Sequence, residues 1–409
     1  MLLDVSPLRR HRDFRWVFAG QFVSALGSFV TYVALPVQIY ALTRSSAAVG
    51  LLGTVQLAPL ALTALWGGAV ADAVDRRRLL LWCESLLMLC SLTLVANAVA
   101  PRPSVAVLFS VAGLMSALSG FHSPALESLT PRLVPREELP AVSALVTLRG
   151  TTAAIGGPAL AGICIATFGI AATYVLDAAT FAISLGALSM IRAMPPADVA
   201  PPIGLESIRQ GVRYALSRPE LIGTYLVDLT AMVFAMPLAV FPALAAGWGP
   251  AAIGYLYSAM AIGAFVITLF SGWTRHVQRH GAAVLIAALC WGLAIVGAGY
   301  ATTLWVAVAF LALAGAADCV SGLFRMTIWN ETIPPELRGR TAAIEQLSYM
   351  TGPLLGNARA GFMAQQFGPG RAIAWGGYAC VVGVLACIPA LPKFWRYRRV
   401  SENPLPRPR

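Results

Sequence analysis

Uninterrupted apolar stretches of twenty or more residues recur along the whole of this 409-residue chain. A helix needs roughly 20 apolar residues to cross bilayer hydrocarbon, and these stretches lack the alternation of a membrane β-strand. The chain therefore reads as an all-α polytopic membrane protein. Composition agrees: 58% of residues are apolar and 11% charged, against ~45–50% and ~25% in soluble domains.

Apolar runs between charge clusters predict twelve transmembrane helices, near 14–41, 48–71, 79–99, 104–130, 139–167, 169–191, 220–245, 251–274, 281–301, 303–331, 340–366 and 371–391. The longest polar interruption, 192–219, divides them six and six. The expected organisation is a six-helix half over 1–191, a cytoplasmic linker over 192–219, a second half over 220–391 and a basic cytoplasmic tail over 392–409. Pro195, Pro196, Pro201 and Pro202 bar a continuous helix at the start of the linker. Leu205, Ile208, Val212 and Leu216 then recur at helical spacing, which predicts an amphipathic helix on the cytoplasmic membrane face.

The net charge of +11 rests on 29 basic residues, all but Lys393 being arginine. With the N-terminus inside, only Arg44, Arg102 and Arg371 fall in outer loops, and Arg149, Arg325 and Arg359 fall within spans. The other 23 of the 29 are then cytoplasmic. This asymmetry predicts both termini in the cytoplasm and explains the basic charge without nucleic acid. All seven cysteines lie in apolar runs without paired spacing, so neither a disulfide framework nor a metal site is expected. The basic N-terminus leads into a long span with no cleavage site, and no removable signal peptide is predicted.

The two halves resemble each other at an offset of 204 residues. Glu127-Ser-Leu-Thr-Pro131-Arg-Leu133-Val-Pro-Arg136 aligns with Glu331-Thr-Ile-Pro-Pro335-Glu-Leu337-Arg-Gly-Arg340, and Gly68 aligns with Gly272. After a short deletion, Gly157, Gly162 and Phe168-Gly169 match Gly356, Gly361 and Phe367-Gly368. Duplicated halves place a substrate site at their interface, near the midplane.

The loop after the second span, Gly67-Gly68-Ala-Val-Ala-Asp72-Ala-Val-Asp75-Arg76-Arg77-Arg78, resembles the signature of the major facilitator superfamily. Ala73 and Asp75 depart from it, and His276 stands for the acid in the second-half copy. Gly156-Gly157-Pro158-Ala159-Leu160-Ala161-Gly162 in the fifth span is similar to the antiporter signature of that superfamily. Ser123-Pro124-Ala125, Leu133-Val134-Pro135, Asp177-Ala178-Ala179-Thr180-Phe181 and Phe241-Pro242-Ala243-Leu244 resemble its drug and siderophore exporter branch. The resemblance implies the major facilitator fold and a conformational switch at Gly68, Asp72, Arg76 and Arg77, with Glu127 as an arginine partner. Arg78 reads as an ordinary basic loop residue.

Ionisable side chains deep in a span cost roughly 2.5–3.5 kcal/mol each on insertion scales. Asp228, Asp318, Arg149 and Arg325 are the proton-coupling candidates, and structural ion pairing is the plain alternative for all four. Asp228 leads, with an arginine such as Arg149 as its expected partner. Asp318 and Arg325 lie two turns apart on one helix face, about 10 Å along the axis, and are expected to find partners on other helices. Asp177 reads as a packing residue and His122 as a satisfied hydrogen-bonder. Gln21, Ser24, Ser28 and Tyr32 form one polar stripe, which either joins helices or lines a substrate cavity with Phe234 and Phe241.

The expected function is secondary export of a bulky amphipathic small molecule, a drug, siderophore or other secondary metabolite, by proton antiport. The chain is expected to act as a monomer in the cell membrane, without cofactor, metal or nucleic acid. An uptake symporter of the same fold is the nearer alternative. An intramembrane lipid-modifying enzyme is the more distant one, since no GxxxxGK[ST], HExxH or GxSxG motif occurs.

Overall fold

The computed structural model describes residues 4–193, 210 and 213–398, apart from the side chains at 65, 68, 69, 72 and 335–348. A short helix, Ser6–Arg10, precedes twelve long ones among the described residues. These are α1 Arg12–Thr43, α2 Ser46–Ala73, α3 Arg76–Val99, α4 Val105–Leu129, α5 Leu139–Phe168, α6 Ile170–Ser189, α7 Pro219–Ala235, α8 Ala252–Leu269, α9 His280–Gly299, α10 Leu304–Thr332, α11 Pro335–Phe367 and α12 Pro369–Ala390. By length and composition, eleven helical segments among the described residues suit a membrane crossing. A bilayer dictates this architecture, because a helix satisfies its own backbone where water is absent.

Local chemistry sets the helix ends. Ser45 caps α2, its hydroxyl accepting from the Ala48 N–H at 3.1 Å. Asp75 caps α3 by accepting from the Arg78 N–H at 3.0 Å, so this departure from the loop signature has a structural use. α5 and α11 end on Gly169 and Gly368 at φ +81° and +85°, a conformation that suits glycine.

The seventh span is not continuous. After Ala235 the chain passes through Met236-Pro237 and a 3₁₀ turn at Leu238–Val240, then resumes as Phe241–Trp248. Pro237 cannot donate a helical hydrogen bond, and neighbours satisfy the exposed backbone. The Asn357 side-chain oxygen accepts from the Ala239 N–H at 3.1 Å, and the Tyr257 hydroxyl donates to the Leu238 carbonyl at 3.1 Å. Asn357→Ala should therefore lower stability by about 1–3 kcal/mol by orphaning a buried N–H. Thermal unfolding in detergent checks this, and an unchanged melting temperature would remove Asn357 from the support of the break.

Contacts are dense within α1–α6 and within α7–α12, and the two groups meet chiefly where α2 faces α11 and α5 faces α8. At these seams backbones touch. A Cβ on Gly162 would lie 2.8 Å from the Gly254 Cα, and one on Gly361 would lie 2.7 Å from the Gly50 Cα. The Ser258 hydroxyl donates to the Ile155 carbonyl at 2.8 Å, and Tyr32 meets Tyr257 edge-on at 6.0 Å. These contacts all lie toward the end that carries the connections after α1, α5 and α11. That end is closed.

Outside the spans, two expected segments fall only partly among the described residues. Of the amphipathic helix over 205–216, only 210 and 213–216 fall among the described residues, and these are helical. The tail does not leave the bundle at 392: Phe394 is fully buried, against Gly223 of α7, and the Tyr397 hydroxyl donates to Glu331 at 3.0 Å. An aromatic ring so close to the membrane packs more favourably than it hydrates. Residues 399–409 lie outside the described residues.

Candidate functional site

Arg325 of α10 is the centre of the charged cluster in the second six helices. Its guanidinium forms an ion pair with Asp228 of α7, reaches Asp318 at 3.5 Å and lies 5.1 Å from the centre of the Tyr349 ring. The partner expected for Asp228 is thus corrected from Arg149 to Arg325. Asp318 is also corrected, since its arginine lies on its own helix. Helical side chains lean toward the N-terminus of their helix, so Arg325 reaches back across two turns. Asp228 and Arg325 are 6% and 3% exposed, whereas the Asp318 side chain is 42% exposed. All three line a cavity of about 320 Å³ with Met232, Met260 and Trp291. One cation between two carboxylates, one of them open to the cavity, can exchange partners when either acid takes a proton.

A second polar centre lies among the first six helices. Glu84 of α3 is fully buried. It accepts a hydrogen bond from the Gln21 amide, and the same oxygen lies 3.3 Å from Nε2 of His122. The Gln21 amide also donates to Ser184 at 3.1 Å. Further along the bundle, buried Asp177 accepts from Thr31 at 2.6 Å and from Ser91 at 2.7 Å. It therefore ties α6 to α1 and α3 as a hydrogen-bond acceptor, beyond simple packing.

The polar stripe of α1 divides. Gln21 and Ser24 are each 4% exposed, and Gln21 joins α1 to α3 and α6, the helix-joining alternative for this part of the stripe. Ser28 is exposed and Tyr32 is 45% exposed. Phe241 is corrected from its expected place on a cavity wall: it is fully buried, with its ring 5.1 Å edge-on from Tyr257. Phe234 is 38% exposed. Arg149 is partly exposed on α5.

In the signature loop, Arg76 is 1% exposed and its Nε donates to Ser128 at 3.0 Å. Arg77 donates to the Leu188 and Ser189 carbonyls at 2.9 and 2.6 Å, fastening α3 to the end of α6. Glu127 is exposed, one residue before the serine that Arg76 uses. The side chains of Gly68 and Asp72 lie outside the described residues, although both positions belong to α2. In the antiporter-like stretch, Gly157 and Pro158 are buried. A Cβ on Gly157 would meet the Phe29 Cβ at 2.3 Å, while Gly162 meets Gly254. Gly157 therefore closes α5 on α1, and Gly162 closes it on α8. Among the described residues no group of His, Cys, Asp or Glu is placed to hold a metal ion.

The family model described as transmembrane secretion effector, a major facilitator family, matches residues 4–409. The chain belongs to that family. It is a transporter-class, multi-pass protein of the cell membrane. As a transmembrane secretion effector it is 30% identical over 409 residues to the enterobactin exporter of Citrobacter koseri, covering 98% of this chain and 97% of the relative. It is 31% identical over 410 residues to the enterobactin exporter of Shigella boydii, with coverage of 98% and 97%. Solved structures share the fold. A POT family transporter with 5-aminolevulinic acid superposes at a TM-score of 0.73 and 13% identity, covering 94% of this chain and 97% of its own. The nucleoside transporter NupG gives 0.72 at 12% identity, covering 94% and 99%.

Glu84 is the site residue of this family member that sequence reasoning passed over. Its signal was available as the one acid inside the run 79–99, where a carboxylate is costly enough to need a reason.

Proposed function

We propose that this protein exports a siderophore-class small molecule across the cell membrane by alternating access, in exchange for protons. The observation that carries this reading is its 30% identity to an enterobactin exporter over 98% of the chain. The Asp228–Arg325–Asp318 cluster beside the cavity supports the proton part. In the proposed cycle a proton reaches Asp318 from the cavity, Arg325 turns wholly to Asp228, and loss of that proton restores the shared arrangement. The two six-helix groups rock so that the seams at Gly162–Gly254 and Gly50–Gly361 part and re-form. Both termini lie in the cytoplasm, so the closed end faces outward and the cavity receives cargo from inside. Gly68, Asp72, Arg76 and Arg77 form the switch at the cytoplasmic end, where the positive N-terminus of α11 would receive Asp72. The protein works as a monomer.

Purified protein in liposomes with an imposed pH gradient tests this reading with catecholate siderophores as candidate cargo. Expected is cargo movement against its gradient, driven by protons entering from the external side. Movement in the same direction as the protons would replace export with uptake symport. Asp228→Asn is expected to reduce pH-driven accumulation at least about tenfold while cargo binding persists. Retained accumulation by a folded Asn variant would mean that Arg325 does not need Asp228 as its alternate partner in coupling.

A further inference from the structure

We propose that Glu84 and His122 form a proton-binding site within the first six helices, separate from the Asp228–Arg325 cluster, with Gln21 sensing its occupancy. The inference rests on the transporter reading only for its purpose, because the site itself follows from side-chain geometry. Glu84 lies eight residues into α3, about 12 Å along it, and is 0% exposed. Arg325 serves Asp228, but the only ion-pair partner of Glu84 among the described residues is the imidazole of His122, at 3.3 Å. The Gln21 amide adds a neutral hydrogen bond to the same oxygen, and the other carboxylate oxygen has no hydrogen-bond partner among the described residues.

A buried carboxylate without a permanent cation requires a dissociable one. The balancing charge is therefore a proton, carried by His122 or by Glu84 itself. The His122 side chain is 17% exposed, so the imidazole is the point of exchange and the buried acid is the store. Imidazole is the side chain whose charge changes most readily near neutral pH.

Among the described residues no other charged group forms an ion pair with Glu84. On α3, Arg76 bonds Ser128 and Arg77 bonds the end of α6. Cys83 on α3 is buried beside Glu84. On α6, Asp177 is held by Thr31 and Ser91, and Ser91 is two turns, about 10 Å, along α3 from Glu84. On α4, Glu127 is exposed; on α1, Gln21 carries no charge. Gln21 divides its amide between Glu84 and Ser184. Neutralising Glu84 weakens the first bond relative to the second, which gives α1 a response to the proton.

Infrared difference spectroscopy on the full chain in detergent, without cargo, reads the site directly. The wild type is expected to show a carboxylic-acid carbonyl band that appears and disappears with pH, lost in Glu84→Gln and kept in Asp228→Asn. His122→Gln and Gln21→Leu leave the acid present and should shift the band frequency, which keeps the test open if Glu84→Gln does not fold. A band unchanged in Glu84→Gln, or indifferent to both partner variants, would overturn the site. Failure of siderophore transport with the band behaving as described would remove only the exporter reading.

Discussion

Arg325→Met is expected to destabilise the protein by about 3–5 kcal/mol, because it leaves two neighbouring carboxylates without their cation. Both acids face this one guanidinium, and at close range they repel each other once it is gone. Methionine keeps much of the apolar stem that packs near Tyr349, so the loss measures charge more than volume. Asp228→Asn combined with Asp318→Asn should restore most of the stability of Arg325→Met, because the triple variant carries no unpaired charge there. Thermal unfolding in one detergent, followed across the single, double and triple variants, gives the coupling. Arg325→Met melting with the wild type would show that the cluster is hydrated enough to dispense with its cation.

That cluster also shows where sequence reasoning stops. Asp228, Asp318 and Arg325 stand out as charges inside apolar runs, and a bilayer makes every such charge conspicuous. Their pairing does not, because it depends on how α7 turns toward α10 and how far an arginine reaches back along its own helix. The same limit separates Gln21 from Ser28. They share a stripe in sequence, but α3 and α6 cover the first and leave the second exposed. Helix positions were legible throughout, since run length and flanking charge set them. The break in the seventh span was marked by Pro237 and Pro242 but concealed by apolar composition on both sides. Tolerance of that break rests on Asn357 and Tyr257 from other helices, which no local pattern announces.

The glycines of α5 permit the other large effect. Gly157 packs α5 against α1, within the first six helices. Gly162 faces Gly254 across the seam between the two groups, and leucine there cannot fit while the backbones touch. Gly162→Leu should therefore hold the closed end apart and stop cargo cycling, while each six-helix group keeps its own packing. Spin labels at the exposed positions Arg44 and Gln366, in a cysteine-free background, report the separation of that end. The distance should lengthen in Gly162→Leu, with transport falling to background and the melting temperature little changed. Gly156→Leu is a control on the same helix, since an added Cβ there meets only the Leu26 side chain, at 3.4 Å. An unchanged label distance with normal transport in Gly162→Leu would mean that α5 and α8 accommodate the side chain, and that backbone contact at Gly162–Gly254 is not what closes this end.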